Sequence, residues 1–446
     1  MSSVAVSALS TNNKVRAEDR AAHEWYRFVL SFPPHLVRDC VARFGLTTKQ
    51  RVLDPFCGTG TTLVECKKLG LASIGIEANP MACFASEVKT EWGIDPDGLL
   101  QHASGIADLV RKRLDAQGIG DDEDLPLFGS NGRPQVELRT LSPEASKLLL
   151  SNCINPLPLH KTLTLLEAIQ QREDNRFAGH ERLALAKAVI SEVSNLHFGP
   201  EVGVRVRRDN PPVVQAWMKC VRAMAEDLRH LGEKAGMRSV VHLADARQTQ
   251  GILKPCSIDA VITSPPYPNE KDYTRTTRLE LVLLGFIQNR HDLRLLKHGL
   301  VRSNTRNVFK DDDDDSLVAK HPEIQRIASA IETRRKKLGK TSGFERLYAR
   351  VTTLYFGGMA RHLRELRTAL RPGAQLAYVV GDQASFLRVM IRTGQLLADL
   401  AESLGYEVAG LELFRTRLAT ATKEQLREEI LLLRWPGTGA PRRVAR

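Results

Sequence analysis

Ser264, Pro265, Pro266 and Tyr267 follow the apolar run Ile258 to Thr263 without a break. The run reads as a short buried strand, so the four residues stand at its carboxyl end, where open α/β sheets bind ligands. The two prolines lack N–H groups and have fixed φ angles, which makes the turn stiff. What remains on offer is carbonyl oxygen, the Ser264 hydroxyl and the aromatic face of Tyr267. That set suits a planar base carrying an exocyclic amine. The amine's lone pair is delocalised into the ring and is a poor nucleophile. Accepting its protons on a hydroxyl oxygen and a carbonyl drives the nitrogen toward tetrahedral geometry and frees the lone pair. An aromatic ring stacks on the base once it is flipped out of its helix.

A second motif supplies the other half of the chemistry. Val52-Leu53-Asp54-Pro55-Phe56-Cys57-Gly58-Thr59-Gly60-Thr61-Thr62 leaves an apolar strand, turns on two glycines and enters a helical pattern at Leu63 to Leu69. Strand, glycine turn and helix form the nucleotide-binding half of a doubly wound fold. Gly58 and Gly60 admit a ligand that a Cβ would repel. The next strand, Ala72 to Glu77, ends in an acid of the kind that accepts hydrogen bonds from ribose hydroxyls. The full three-glycine dinucleotide fingerprint is absent, which disfavours nicotinamide cofactors. No Gly-Lys-Ser/Thr follows the loop, which disfavours ATP.

Together these two segments resemble the amino-methylating DNA methyltransferases that use S-adenosylmethionine. In that family an Asp-Pro-Phe-x-Gly-x-Gly-Thr loop binds the cofactor and a Ser/Asp/Asn-Pro-Pro-Tyr turn holds the target amine. The resemblance implies that Asp54, Phe56, Cys57, Gly58, Gly60, Thr61 and Thr62 surround the cofactor and that Glu77 takes the ribose. It puts the adenine-contacting acid at Asp245, after the strand Ser239 to Ala244, and a segment wrapping the methionine end at Phe32 to Leu36, with Pro33 in it. Ser264, Pro265, Pro266 and Tyr267 become the catalytic turn. Serine in the first position is commoner among cytosine-N4 enzymes, and Asp or Asn among adenine-N6 enzymes. Cytosine N4 is therefore the expected target and adenine N6 the alternative. No metal is required.

The implied fold is α/β, a Rossmann-like methyltransferase sheet with a mainly helical insert and a smaller second insert. The expected organisation is a flexible N-terminus over 1–23 and a cofactor-binding part over 24–95. A helical insert spans 96–237, the catalytic part 238–287 and a basic insert 288–346. The remainder of the sheet spans 347–435 and a flexible tail 436–446. Leu163 to Ile169, Leu183 to Val193 and Val213 to Leu231 carry apolar residues at helical spacing. Gly118 to Arg133 reads as an exposed acidic loop.

Both inserts are candidates for target recognition. In the first, Arg205 and Arg207 follow a turn-rich loop and could touch phosphate or bases; a solvated connector is the plain alternative. In the second, Arg302, Asn304 and Arg306 are of the types that pair with guanine and adenine edges. Asp311 to Asp315 follows at once and reads as a solvated loop. Arg334 and Arg335 open a basic run at a helix end that could clamp phosphate or simply face solvent.

Composition agrees. The chain has 446 residues, 42% hydrophobic and 26% charged, with a net charge of +12. That balance is globular and favours a polyanionic partner. No apolar run of 18 residues and no signal pattern is found, and the resemblance implies a cytoplasmic, DNA-associated protein of a bacterial or archaeal cell. Seven scattered cysteines without Cys-x-x-Cys spacing point to reduced thiols and against zinc. The partner expected beside DNA is a cognate restriction endonuclease or other defence-system component.

Rival readings fit less well. Ring-carbon methylation needs a Pro-Cys nucleophile, but Pro255-Cys256 precedes the strand that Ser264 follows. Guanine-N2 methylation of transfer RNA uses a similar turn, usually behind a sizeable RNA-binding module, and only about 50 residues precede Asp54 here. A non-catalytic DNA-binding subunit would not need Gly58, Gly60, Glu77, Ser264 and Tyr267 together.

Overall fold

A computed structural model of the chain describes residues 16–27, 31–121, 136–199, 202–205, 207–234, 236–269, 271–418 and 425–437. Most of the expected Gly118 to Arg133 loop, the first 15 residues and the tail beyond 437 lie outside these ranges.

Apolar alternation and short apolar runs build one seven-stranded sheet. In chain order its strands are β1 (Arg51–Asp54) and β2 (Ala72–Glu77), then, after a small hairpin of β3 (Leu196–Phe198) and β4 (Val202–Val204), β5 (Ser239–Leu243), β6 (Ile258–Thr263), β7 (Leu370–Gly381), β8 (Glu407–Leu418) and β9 (Gln425–Arg434). The spatial order is β5-β2-β1-β6-β7-β9-β8. β5, β2, β1, β6 and β7 run parallel, and β9 is antiparallel to both β7 and β8. The chain works outward from β1 to β5, then returns to lay β6 against β1, pairing Val52 with Ala260 and Leu53 with Val261. The order therefore reverses between β1 and β6. That topological switch opens a crevice at the strands' carboxyl ends. Asp54 and Thr263 are the last residues of the two strands, so both motifs meet there.

Three helices frame the crevice: α1 (Pro34–Arg43), α2 (Thr61–Lys68) and α3 (Pro80–Thr90). α3 starts where it does because Pro80 fits the first helical position and the Asn79 side chain accepts from Met81 N. α4 (Pro96–Asp115) opens the first insert and is capped in the same way by Asp95. With the helices Pro156–Gln171, Ala178–Ala188 and Val213–Leu231 it buries Leu99, Ile106, Leu165, Leu183, Trp217 and Met224. That core is continuous with Met81 and Val88 of α3 and with Leu279 to Leu284 beyond the catalytic turn. The insert is thus packed onto the sheet's own helices.

The N-terminal segment corrects the expectation of a frayed end through residue 23. Asp19, Ala22 and His23 are buried. His23 bonds Glu65 of α2 at 2.8 Å, and Trp25 Nε1 donates to Asp227 of the insert at 2.7 Å. The segment straps sheet to insert.

The second insert is also held tightly. Ile324, Ile327 and Ile331 pack against Tyr355, Phe356 and Met359 of the helix Tyr348–Leu366. The Asp311 to Asp315 run is corrected from a solvated loop to an anchor. Asp314 is 5% exposed and pairs with Arg247 at 2.8 Å and with Arg361. Its carbonyl fits into a notch on that helix: a Cβ at Gly357 would lie 1.9 Å from Asp314 O. Asp312 pairs with Arg302 at 2.7 Å. Charge that would be wasted in water is neutralised where the segment is pinned down.

Candidate active site

The chain leaves β1 at Asp54 and turns through Gly58 (φ +52°) and Gly60 (φ +83°) into α2. The two glycines are needed for different reasons. A Cβ at Gly60 would sit 2.9 Å from Ser86 Oγ, which itself donates to Gly58 O at 2.8 Å. At Gly58 a Cβ would meet nothing within 4 Å, so the space over that residue is open to a ligand. Gly75 of β2 supports the turn from below, since a Cβ there would be 2.8 Å from Cys57 Sγ. The Cys57 thiol is therefore packed against the sheet, pushed well above its ordinary pKa by burial, and what this residue offers a ligand is backbone. Phe56 packs edge-on against His362, with ring centres 4.9 Å apart.

Two acids border this turn. Glu77 accepts from Gly58 N at 2.9 Å and from Asn79 N at 2.8 Å, one bond to each oxygen. A carboxylate oxygen has a second lone pair, so each can accept again. Burial raises the Glu77 pKa to about 7. Asp54 is fully buried and its pKa is pushed up to about 6 by burial, against the hydrogen bond from Thr263. Its Oδ1 accepts from Thr263 Oγ1 at 2.6 Å and from Phe56 N at 3.1 Å. Its Oδ2 is buried without a hydrogen-bond partner among the described residues. An acceptor in that state costs free energy unless a donor arrives.

Asp245 stands just beyond β5, beside Glu77, because Ala244 N donates to Glu77 O at 3.0 Å. Both Asp245 oxygens are gripped by Arg247, at 3.0 and 2.7 Å. Pro33 is buried at the cap of α1, whose Leu36 and Val37 pack on Val52.

The catalytic-type turn is locked to the glycine turn. Thr263 bonds Asp54 as above, and Thr62 Oγ1 donates to Ile262 O at 3.1 Å. Ser264 Oγ donates to Val379 O of β7 at 3.0 Å. With its proton so placed, the serine oxygen keeps acceptor capacity beside the Tyr267 hydroxyl. Pro265 is buried. Asn269 N donates to Tyr267 O at 2.8 Å and closes the turn. The Tyr267 ring lies on Gly381, where a Cβ would be 2.8 Å from Cε2. Cys256 is exposed at the far end of β6, which removes it from this crevice.

The residues expected to contact nucleic acid divide. Arg205 and Arg207 are exposed at the base of the β3–β4 hairpin, and Arg207 pairs with Asp209 at 2.8 Å. With Asn152, Asn155 and Asn195 they line a groove of about 560 Å³. Arg306 is exposed over the Phe344 ring, and Arg334 is exposed at the end of the helix Pro322–Lys337. Arg335 is tied to Glu332 at 2.7 Å. Arg302 and Asn304 are corrected as base readers. Arg302 is 3% exposed and held by Asp312 and by the carbonyls of Lys297 and Leu300. Asn304 is fully buried, caps a short turn through Arg306 N and donates to Lys271 O.

Sequence reasoning missed Thr263, whose only signal was its place between the strand and Ser264. It also missed Lys89, buried in α3. Lys89 Nζ donates to Thr59 O at 2.7 Å and to Tyr26 O at 3.1 Å, so it fastens the glycine turn to the N-terminal strap. Burial lowers its pKa to about 7.

A sheet of this order, with a glycine turn after β1 and an acid ending β2, is a Rossmann-like arrangement, and the likeness to methyltransferases implies S-adenosylmethionine as methyl donor. The family profile of N6/N4 methyltransferases, described as DNA methylase, matches residues 5–87. The chain is 24% identical over 441 residues to the Type II methyltransferase M.BsoBI of Geobacillus stearothermophilus, covering 91% of this chain and 83% of that protein. It is 23% identical over 458 residues to the Type II methyltransferase M.AvaI of Nostoc sp., covering 94% and 87%. Among solved structures, the rRNA methyltransferase aviRa from Streptomyces viridochromogenes aligns over 94% of each chain at 11% identity with a TM-score of 0.32, from which nothing about this chain follows. These matches support a likeness to the N4/N6 amino-methylating DNA methyltransferases.

Proposed function

We propose that this chain methylates the exocyclic N4 amine of cytosine in DNA, with the turn Asp54 to Thr62 and Glu77 holding S-adenosylmethionine and Ser264 to Tyr267 presenting the base. The observation that carries the reading is the 2.6 Å hydrogen bond from Thr263 to Asp54. It joins the residue before the serine to the first residue of the glycine turn, so the two halves of the site cannot drift apart.

The residues present suit the cofactor. Asp54 Oδ2 is a buried acceptor without a partner, of the kind that takes an ammonium group. Glu77 has lone pairs left for hydroxyls, and the space over Gly58 is open. Asp245 would meet the adenine with an oxygen already oriented by Arg247. When bound, S-adenosylmethionine supplies a methyl group on a positively charged sulfur. Ser264 accepts an amine proton in hydrogen bonding, and the carbonyls of the proline-bearing turn accept the other. Tyr267 stacks on the flipped base. The protein's contribution is placement, desolvation and polarisation of the amine.

The relatives' designation as Type II methyltransferases supports DNA as substrate and a place beside a cognate restriction endonuclease. No helix among the described residues is long and apolar enough to cross a membrane, and the same reading puts the protein in the cytoplasm. The choice of cytosine rests on serine at position 264. Adenine N6 is the second reading.

Cofactor affinity should depend on pH with a definite sign. Glu77 and Asp54 have pKa values raised to about 7 and about 6, so they lose charge as pH falls through that window. Hydroxyls and an ammonium are bound by the ionised forms. Affinity is expected to level off above pH 7, to weaken by about tenfold per pH unit between 7 and 6 as Glu77 protonates, and by up to about a hundredfold per unit below 6, where Asp54 protonates as well. Stability of the free protein should move oppositely, since the folded state holds extra protons between the usual carboxylate range and about 7. Calorimetric titration from pH 5 to 8 reads the first effect; a flat profile would contradict the roles given to these acids.

Methylation-sensitive sequencing of DNA from cells expressing the protein tests the base. The expected result is modified cytosine at one recurrent site. Modified adenine alone would overturn the cytosine reading and leave the amine chemistry standing.

A further inference from the structure

The end of β7 carries a cluster that the catalytic account does not use. Asp382, Glu428 and Glu429 are buried, at 0%, 8% and 4% exposure. They hold four arginines whose side chains stay between 30% and 45% exposed. Asp382 pairs with Arg392 at 2.5 Å and Arg427 at 3.1 Å. Glu428 pairs with Arg415 at 2.5 Å and reaches Arg417 at 3.7 Å. The two forks meet where Arg417 Nη2 donates to Asp382 O at 3.3 Å.

The cluster borders the catalytic turn. Gly381 precedes Asp382, and a Cβ on it would lie 2.8 Å from the Tyr267 ring and 3.3 Å from Glu428 Cγ. A guanidinium has five N–H donors, and the buried acids occupy only some of them. The side chains of Arg392, Arg417 and Arg427 stay 40% to 45% exposed, within reach of a polyanion. Two buried donors make no hydrogen bond among the described residues: Gln383 Nε2, and Arg417 Nε, whose nearest carboxylate oxygen, Glu428 Oε1, stands at 3.7 Å, beyond hydrogen-bond reach. Asp382 Oδ1 is also without a partner, buried behind the two guanidiniums that neutralise its carboxylate.

We propose that Arg392, Arg415, Arg417 and Arg427 clamp the phosphodiesters flanking the target base, beside the Ser264 to Tyr267 turn. The proposal rests on the DNA reading above. Extruding a base rotates its backbone, and phosphate contacts at that point fix the register of the strand. Arginine suits the task because its fork matches phosphate geometry, and buried acids preorganise each fork.

The test uses the full chain as Arg392→Gln and Arg417→Gln, with DNA affinity measured by fluorescence anisotropy over a range of salt. Each variant is expected to bind DNA about tenfold more weakly at low salt. The slope of log affinity against log salt should flatten by about 0.9 per charge removed. The weakening should be equal on DNA with and without the methylated site, and S-adenosylmethionine affinity should not change. Cofactor binding also certifies the fold; if Arg417→Gln fails it, Arg392→Gln carries the test, since that arginine is 45% exposed. Wild-type slope and affinity in a cofactor-competent variant would overturn the clamp. Wild-type protein that transfers no methyl group to DNA would instead overturn the reading on which the clamp rests.

Discussion

Ser264→Ala is expected to cut the rate of methyl transfer by about 10²-fold while leaving S-adenosylmethionine affinity within about twofold of wild type. The hydroxyl proton is committed to Val379 O at 3.0 Å, so in the proposed reaction the oxygen would meet the amine as an acceptor. Removing it takes away an interaction that strengthens as the amine nitrogen becomes tetrahedral, and such losses fall on the rate of the chemical step. Tyr267→Ala should act on both rate and DNA affinity, because base stacking contributes about 1–3 kcal/mol. The ring's seat on Gly381 fixes its plane, so its loss also leaves a gap beneath the base. Single-turnover kinetics with saturating cofactor separate these effects. A Ser264→Ala protein with an unchanged single-turnover rate would remove the serine from the mechanism.

The second large effect lies in the proposed cofactor turn. Glu77→Ala deletes a carboxylate that accepts from Gly58 N and Asn79 N and still has lone pairs for ribose. Charge-assisted hydrogen bonds contribute about 1.5–3 kcal/mol each, so cofactor affinity should fall by roughly 10- to 150-fold. Gly60→Ala should reach a similar loss by another route. The residue has φ +83°, and its new Cβ would stand 2.9 Å from Ser86 Oγ, the group that tethers Gly58 O. Calorimetry on both variants measures the loss directly. Wild-type affinity in both would place the cofactor elsewhere.

How much of this was legible in sequence follows from where each interaction is made. The crevice was legible because its parts are local: a strand, a stiff Pro-Pro turn, two glycines and an acid ending β2. The pairing of Thr263 with Asp54 spans 209 residues and has no local signal. The second insert was misread for the same reason. Arg302 and Asn304 look like base readers in a polar stretch, but Asp312 and Lys271 satisfy them inside the fold. The Asp311 to Asp315 run looks solvated until the notch at Gly357 and the guanidiniums of Arg247 and Arg361 are set around Asp314. Side chains that pair across distant segments are the ones composition cannot place. The arginines at the end of β7 were overlooked because they come from β8, β9 and the loop before the helix Thr393–Ser403.

The central claim is that the glycine turn and the serine turn form one site that methylates an amine in DNA. Its most direct measurement incubates the purified protein with DNA and S-adenosylmethionine labelled on the transferable methyl, digests the DNA to nucleosides and identifies the labelled product by mass spectrometry. The account predicts label in N4-methyldeoxycytidine from wild type and about 10²-fold less from Ser264→Ala. DNA without label, from a protein that binds S-adenosylmethionine, would contradict it.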